Sequence, residues 1–504
     1  MPSLSPLAWV YAASLLVLCL YGFHRLTHLW ALRGAHPWTG PEARTDARVL
    51  VQLPLYNERA VAERVIRAAA ALDWPAECLH IQVLDDSTDG TRALVDREVR
   101  RQQGLGVSIE VLRRTDRGGF KAGALAAGLK VSDQEFIAVF DADFLPRPSF
   151  LRETLGAFAD PDVGMVQARW HHNNRDESLF TRAQATLLDG HFVIEHQARY
   201  ASGHCFNFNG TAGVWRRAAI GDGGGWTGDT LTEDLDLSYR AQLAGWRFVY
   251  AWGVTAPAEL PADAAAFLAQ QARWARGSVQ VLRKLGGPIA RSSFSLSKKM
   301  EAFSHLAGNA GQPCLLVLCL TLPFVIHERS AMLGPLHAAA FLLCTVAVLA
   351  FYDASQRLVG RPLRKRIVDI FAAMALGIGM CVRQSRAVLL GMLGSTGTFE
   401  RTPKRGDAAD TPYRSRLAGS GWIEASLALL YVGTAARMAW LGSLGSIPFL
   451  GLFAWGFGWV ALRTIREARV SQNSELVPFA PVAETETVQA APAAPRADEP
   501  VGSK

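Results

Sequence analysis

Five stretches of this chain are so apolar that, in a bilayer, they can exist only as helices. Lipid offers no partner for backbone N–H and C=O groups, so a spanning segment must satisfy them internally. Residues 7–23 form an uncharged run of 17 residues, and residues 309–326, 336–352, 421–441 and 446–462 are four more. A sixth run, 370–382, has only 13 residues, short for a hydrocarbon core of about 30 Å at 1.5 Å rise per residue. Basic residues flank it on both sides, Arg357 to Arg366 before and Arg383 and Arg386 after. If basic loops stay inside, both its ends face the cytoplasm and it lies along the interface. No basic residue precedes the first run, as one would in a secretory signal; Arg25 and Arg33 follow it, so it reads as an uncleaved anchor.

Between the anchor and the later runs the composition is that of a soluble domain. Apolar segments at 49–53, 81–84, 109–112 and 136–140 read as strands, and 58–71, 91–101 and 121–130 read as helices. Such alternation predicts a largely parallel sheet covered by helices, with ligands at the carboxyl ends of the strands. The net charge of +7 belongs to Arg beside the apolar runs and suits a membrane surface, not a nucleic acid. Seven cysteines without a CxxC pair predict free thiols. The end of the chain, 467–504, is rich in Ala, Pro, Glu and Val and reads as disordered.

Acidic residues gather where the strands end. Asp141-Ala142-Asp143 follows one apolar strand, Asp85-Asp86-Ser87 closes another, and Tyr56-Asn57-Glu58 ends the first, with Asn57 placed to cap a helix. Thr232-Glu233-Asp234 opens a later helix, where Thr232 suits a cap and first-turn acids suit the helix dipole. Gln270, Arg273 and Trp274 share one helical face at i, i+3 and i+4, a spacing that offers a cation for a diphosphate and a ring for a sugar. His171-His172 lacks a third metal ligand and reads as a polar turn. Asn209-Gly210-Thr211 reads as a turn. Gly221 to Gly225 lacks the Gly-Lys-Ser/Thr ending of a P-loop.

Taken in order, Leu55-Tyr56-Asn57-Glu58, Asp85-Asp86-Ser87, Asp141-x-Asp143, Thr232-Glu233-Asp234 and Gln270-x-x-Arg273-Trp274 resemble family 2 glycosyltransferases of the cellulose-synthase-like superfamily. Gln52-Leu53-Pro54 and Gln270-Gln271 resemble its mannan- and glucan-synthase-like branch. The resemblance implies an α/β fold of GT-A type, with a mostly parallel nucleotide-sugar-binding sheet inserted between transmembrane helices. It implies that Tyr56, Glu58, Asp85 and Asp86 bind the nucleoside and Lys121 the diphosphate. Asp141 would contact the donor, and Asp143, with Asp141, would hold Mg²⁺ or Mn²⁺. Asp234 would be the catalytic base, with Glu233, Gln270, Arg273 and Trp274 on the substrates. The resemblance also implies a place near the acceptor for Asn209-Gly210-Thr211. Phe399-Glu400-Arg401-Thr402-Pro403-Lys404 is similar to a gating loop that closes over the donor, with Thr402 and Lys404 reaching it; Arg401 departs from the family's usual Val.

These readings divide the chain into an anchor (1–30), a cytoplasmic glycosyltransferase domain (45–260), interfacial helices (261–300), a membrane domain (301–466) and the tail. Within the membrane domain, 367–393 is the interfacial helix and 394–406 the gate-like loop. The expected activity is inverting hexosyl transfer from UDP-glucose or GDP-mannose to a growing β-linked polysaccharide, in a bacterial inner (plasma) membrane. A single-addition enzyme making a glycolipid and an inactive sugar-binding scaffold are the alternatives; the presence of Asp143 and Asp234 weighs against the scaffold. Membrane lipids and a polysaccharide or lipid acceptor are the implied partners; no protein partner is implied.

Overall fold

The alternating segments do form one sheet, because each apolar strand is covered on both faces. A computed structural model describes residues 5–326, 333–394 and 421–475. Helix α1 (Pro6–Ala31) precedes the α/β domain. Its seven strands are β1 (Val49–Leu55), β2 (Leu79–Asp85), β3 (Ile109–Leu112), β4 (Phe136–Val139), β5 (Val163–His172), β6 (Gly213–Arg216) and β7 (Arg247–Ala258). They lie in the order β3-β2-β1-β4-β6-β5-β7. All neighbours are parallel except where β6 inserts antiparallel between β4 and β5. Helices α2 (Ala62–Ala70), α3 (Thr91–Gly104) and α4 (Phe120–Lys130) connect the first four strands. The core has two layers, one built on Val51, Leu53, Val83 and Phe140 and the other on Leu50, Leu125, Ile137 and Trp215.

The second half of the sheet was not visible in the sequence pattern. Residues 171 and 172 were read as a turn, yet β5 runs through them, paired with Pro257 and Ala258 of a twelve-residue β7. The helix expected from residue 58 begins at Ala62. Asn57 does not cap it: Asn57 sits at φ 55°, donates its N–H to Ser87 Oγ (2.8 Å) and accepts from Thr88 N (2.8 Å), tying the β1 and β2 ends together.

Beyond the sheet come α5 (Leu179–Asp189), continued through a π-helical stretch Gly190–Glu195, then α6 (Glu233–Leu243), α7 (Ala264–Arg291) and α8 (Leu296–Leu306). The membrane-type helices are α9 (Gly311–Val325), α10 (Leu333–Leu358), α11 (Leu363–Gly379), α12 (Cys381–Met392), α13 (Trp422–Trp440) and α14 (Ile447–Glu475). Among the described residues, four helical segments are long and apolar enough to cross a membrane: Pro6–Gly34, Gly308–Val325, Ala339–Leu358 and Leu444–Arg469. Helix α13, expected to span, carries Glu424 and Arg437 and is less apolar than these four. The seven cysteines are free.

The short run 370–382 lies in α11 and α12, which meet at a bend of 50° and would count as a fifth span only if taken together. Its apolarity has another explanation than lipid. Ala372, Leu376 and Met380 pack against Phe180, Ala183 and Phe267 of the α/β side. Asp369, buried, pairs with Arg182 (2.9 Å) and Arg361 (3.0 Å). A helix whose apolar face is shared between the α/β side and α14, and whose buried acid pairs with Arg182 of the α/β side, suits an interfacial position. Accordingly, single cysteines at the exposed positions Leu358 and Leu393, with the native cysteines replaced, are expected to lie on the same side as the α/β domain. An impermeant thiol reagent should modify both only after the membrane is opened; modification of one alone in sealed cells would show that α11 and α12 cross.

Candidate active site

Parallel pairing of β1 with β2 and β4 brings their carboxyl ends to one edge. Tyr56, Glu58, Asp86, Asp141 and Asp143 line a cavity of about 710 Å³ there. Asp85 does not line it. Its carboxylate is fully buried, accepts the Ser87 N–H (3.1 Å) and pairs with Arg113 (2.9 Å), so it shapes the turn that presents Asp86. Asp86 is gripped by Arg114, whose Nε lies 3.1 Å from Oδ1 and whose Nη2 bonds Oδ2. Arg114 also donates to the Gly118 and Phe120 carbonyls (2.9 Å each), fixing the loop into α4. Arg117 on that loop covers the Tyr56 ring, its guanidinium carbon 3.2 Å from the ring centroid, a cation–π contact.

Three segments converge on Lys121. Its Nζ donates to Asp141 Oδ1 (2.5 Å) and to the Gly210 carbonyl (2.8 Å), and Asp141 N–H donates to Thr211 Oγ1 (2.9 Å). Residues 209–211, expected as a turn, thus form part of the site. Gly210 has φ +80°, and a Cβ there would stand 2.9 Å from Asp234 Oδ2 and 3.4 Å from Lys121 Nζ, so only glycine allows the approach. Asp234 is the second residue of α6 and accepts the Leu235 N–H (2.8 Å). Thr232 precedes the helix, but its side chain makes no cap bond, in contrast to the expectation from sequence. Burial raises the Asp234 carboxyl to about 7, with the Glu233 charge adding to it; Lys121, the Leu235 N–H and Arg273 pull it back. Burial also works against the charge on Lys121, but Asp141, Glu233 and Asp234 outweigh it and hold its pKa above the usual range.

Helix α7 supplies the far wall, and Gln270, Arg273 and Trp274 all face the cavity from it. The Trp274 ring lies 6.4 Å from that of Trp170, which packs on Phe144 (4.9 Å) and Phe192 (4.6 Å), giving an aromatic wall opposite the carboxylates. The first two N–H groups of α7 donate to Glu467 of α14 (2.8 and 2.9 Å). Residues 467–475, expected as the start of a disordered tail, continue α14, and Glu467 caps the helix that carries the Gln-x-x-Arg-Trp motif. His172 is buried at the cavity edge, and burial holds its imidazole well below the usual pKa, in the neutral form. From this end the cavity continues between membrane-type helices, past Leu315, Leu318, Phe341 and Phe453. Thr402 and Lys404 of the gate-like loop lie outside the described residues.

The structure therefore brings together Tyr56, Glu58, Asp86, Lys121, Asp141, Asp143, Glu233, Asp234, Gln270, Arg273 and Trp274 around one cavity, and leaves Asp85 behind it. Sequence reasoning missed Arg114, Arg117, Trp170 and His172, and it reached Gly210 and Thr211 only through the resemblance. The basic cluster Arg113, Arg114 and Arg117 at the carboxyl end of β3 was a usable signal for the first two.

A sheet with this order, its acids at the parallel strand ends and a helix bearing Gln270, Arg273 and Trp274 on the far wall, is a GT-A glycosyltransferase fold. Residues 47–277 match the model of "Glycosyltransferase like family 2". Probable glucomannan 4-beta-mannosyltransferase 9 of Oryza sativa subsp. japonica is 35% identical over 428 residues, covering 82% of this chain and 78% of that protein. Glucomannan 4-beta-mannosyltransferase 2 of Arabidopsis thaliana is 45% identical over 249 residues, 48% of this chain; the aligned part spans about half that relative's length, 47%. The fold is also that of mannosyltransferase PcManGT of Pyrobaculum calidifontis, solved with GDP-Man and Mn²⁺, at a TM-score of 0.53 and 22% identity over 77% of this chain and 100% of the other. The chain belongs to glycosyltransferase family 2.

The electrostatics around Asp234 can be tested without any substrate. Its carboxyl, followed by infrared difference spectroscopy against Asp234→Asn, is expected to titrate near 7. Lys121→Gln removes a cation that favours the carboxylate, so the midpoint should move up; Glu233→Gln removes a like charge, so it should move down. A midpoint near 4 in the unmodified protein, an ordinary carboxyl value, would contradict the geometry.

Proposed function

We propose that this chain is a membrane-bound, inverting hexosyltransferase that adds a sugar from a nucleotide-sugar to a β-linked polysaccharide. The observation that carries the reading is the placement of Asp234. It lines the same cavity as Asp141, Asp143 and Trp274, close to Lys121, and burial raises its carboxyl to about 7. A base near neutral pKa is well matched to taking a proton from an acceptor hydroxyl as that oxygen attacks the anomeric carbon. The names of the relatives support mannose as the transferred sugar.

On this reading the chain's residues divide the work along the cavity. Tyr56 under Arg117, Glu58 and Asp86 line the end suited to the nucleoside. Lys121 and Arg273 bring positive charge to the diphosphate, where the leaving group gains negative charge. Trp274 and Trp170 offer apolar faces for sugar rings. Asp234 orients the acceptor hydroxyl and receives its proton. The cavity's continuation between membrane-type helices supports an acceptor whose growing end stays against the membrane domain.

The donor set fits a divalent ion. Asp143 is nearly buried and presents a carboxylate to the cavity, while one oxygen of Asp141 is engaged by Lys121. Hard oxygen ligands of this kind, joined by substrate phosphates, suit Mg²⁺ or Mn²⁺. Bound there, such an ion would neutralise charge on the departing diphosphate.

Two outcomes test the assignment. Asp234→Asn should lower turnover by about 10²–10⁴-fold while nucleotide-sugar binding, measured by calorimetry, stays within a few-fold; near-normal turnover would remove Asp234 from the role of base. Transfer should stop in excess EDTA and return with Mn²⁺ or Mg²⁺, and Asp143→Asn should need far more metal for half-maximal rate. Full activity in EDTA would remove the metal from the account.

A further inference from the structure

A second group of metal-type ligands is formed by α1 and α8. His24 and His28 stand one turn apart on α1, with ring centroids 4.3 Å apart, and both aim Nε2 at Glu301 of α8. His24 Nε2 is 2.7 Å from Glu301 Oε2 and His28 Nε2 is 3.2 Å from Oε1. One ligand atom from each of the three residues falls within 4.8 Å of the others, and among the described residues this is the one such group of three. None of the three serves the sugar chemistry above.

Two imidazoles and one carboxylate on converging vectors are a donor set for a first-row divalent metal, zinc above all, and a poor one for Mg²⁺. The surroundings are those a ligated carboxylate has. Arg199 Nε donates to Glu301 Oε1 (2.8 Å), holding the group in place from behind, and Arg199 is itself balanced by Glu195 (3.5 Å). His24 lines the cavity, which gives water access to a fourth position.

We infer that His24, His28 and Glu301 bind one zinc-class divalent ion, which clamps the N-terminal membrane helix to α8 beside the catalytic cavity. The ligand pair at i and i+4 on α1 and the single acid on α8 make the ion a bridge between two elements far apart in sequence. Tyr21 already joins the same two regions, donating to the Ala307 carbonyl (2.7 Å). The inference is independent of the sugar-transfer reading, since the two sites share no residue.

Metal content decides it. Full-length protein in detergent, expressed with zinc and desalted into excess Mg²⁺, should retain a single equivalent of zinc by mass spectrometry. The double variant His24→Gln/His28→Gln should lose it, while Asp143→Asn should keep it. X-ray absorption at the zinc edge of the unmodified protein should show imidazole scattering from two ligands, a readout that needs no variant to fold. Loss of zinc from the unmodified protein on desalting, an absorption spectrum without imidazole, or retention of the metal by a folded double variant would each overturn the site and leave a plain hydrogen-bonded tie.

Discussion

The site depends on one ammonium group. Lys121 faces three carboxylates, Asp141, Glu233 and Asp234, which reach it from a strand end and a helix start, while the Gly210 carbonyl closes the remaining side. One cation cannot balance three acids brought together out of bulk water, and like charges then favour protonating one of them. The carboxyl that is raised is Asp234, to about 7, by burial first and the Glu233 charge next. The same excess of negative charge makes the cavity receptive to further cations, Arg273 from the chain itself and a divalent ion from outside. Binding and base strength are thus set by one local imbalance.

The α/β domain and the membrane-type helices share their interfaces. Glu467 of α14 caps α7, so the helix that presents Gln270, Arg273 and Trp274 is positioned by the last apolar segment of the chain. Arg182 of α5 pairs with Asp369 of α11, and Phe180 packs with Leu376 and Val460. Burying such charges is tolerable only where partners are in place, so these contacts fix the two parts relative to each other. A cavity that begins at the strand ends and continues among apolar helices is the result.

Much of this was legible beforehand because the first half of the domain obeys local rules. β1 to β4 are apolar runs whose acids fall at their ends, and the motifs kept their spacing. What was not legible has physical reasons. β6 is only four residues long and antiparallel, and β5 continues through His171 and His172 because β7 supplies a partner no local pattern reveals. Asn57 has a capping side chain but spends it on Thr88. Asp85 looked like its neighbour Asp86, yet a strand's last residue points into the sheet's packing while the next turns toward the cavity. Residues 370–382 are apolar because a protein face covers them, and residue 467 continues α14, where it caps α7.

The central claim is that this geometry transfers a hexose with inversion. The most direct measurement is the anomeric configuration of the bond made by the purified protein, with an α-linked nucleotide-sugar, mannose-based or glucose-based, as donor and a manno-oligosaccharide as acceptor. Proton NMR of the isolated product should show a new β-linkage, formed only when donor and acceptor are both present. A new α-linkage would show retention, and with it that Asp234 does not act as the base of a single displacement.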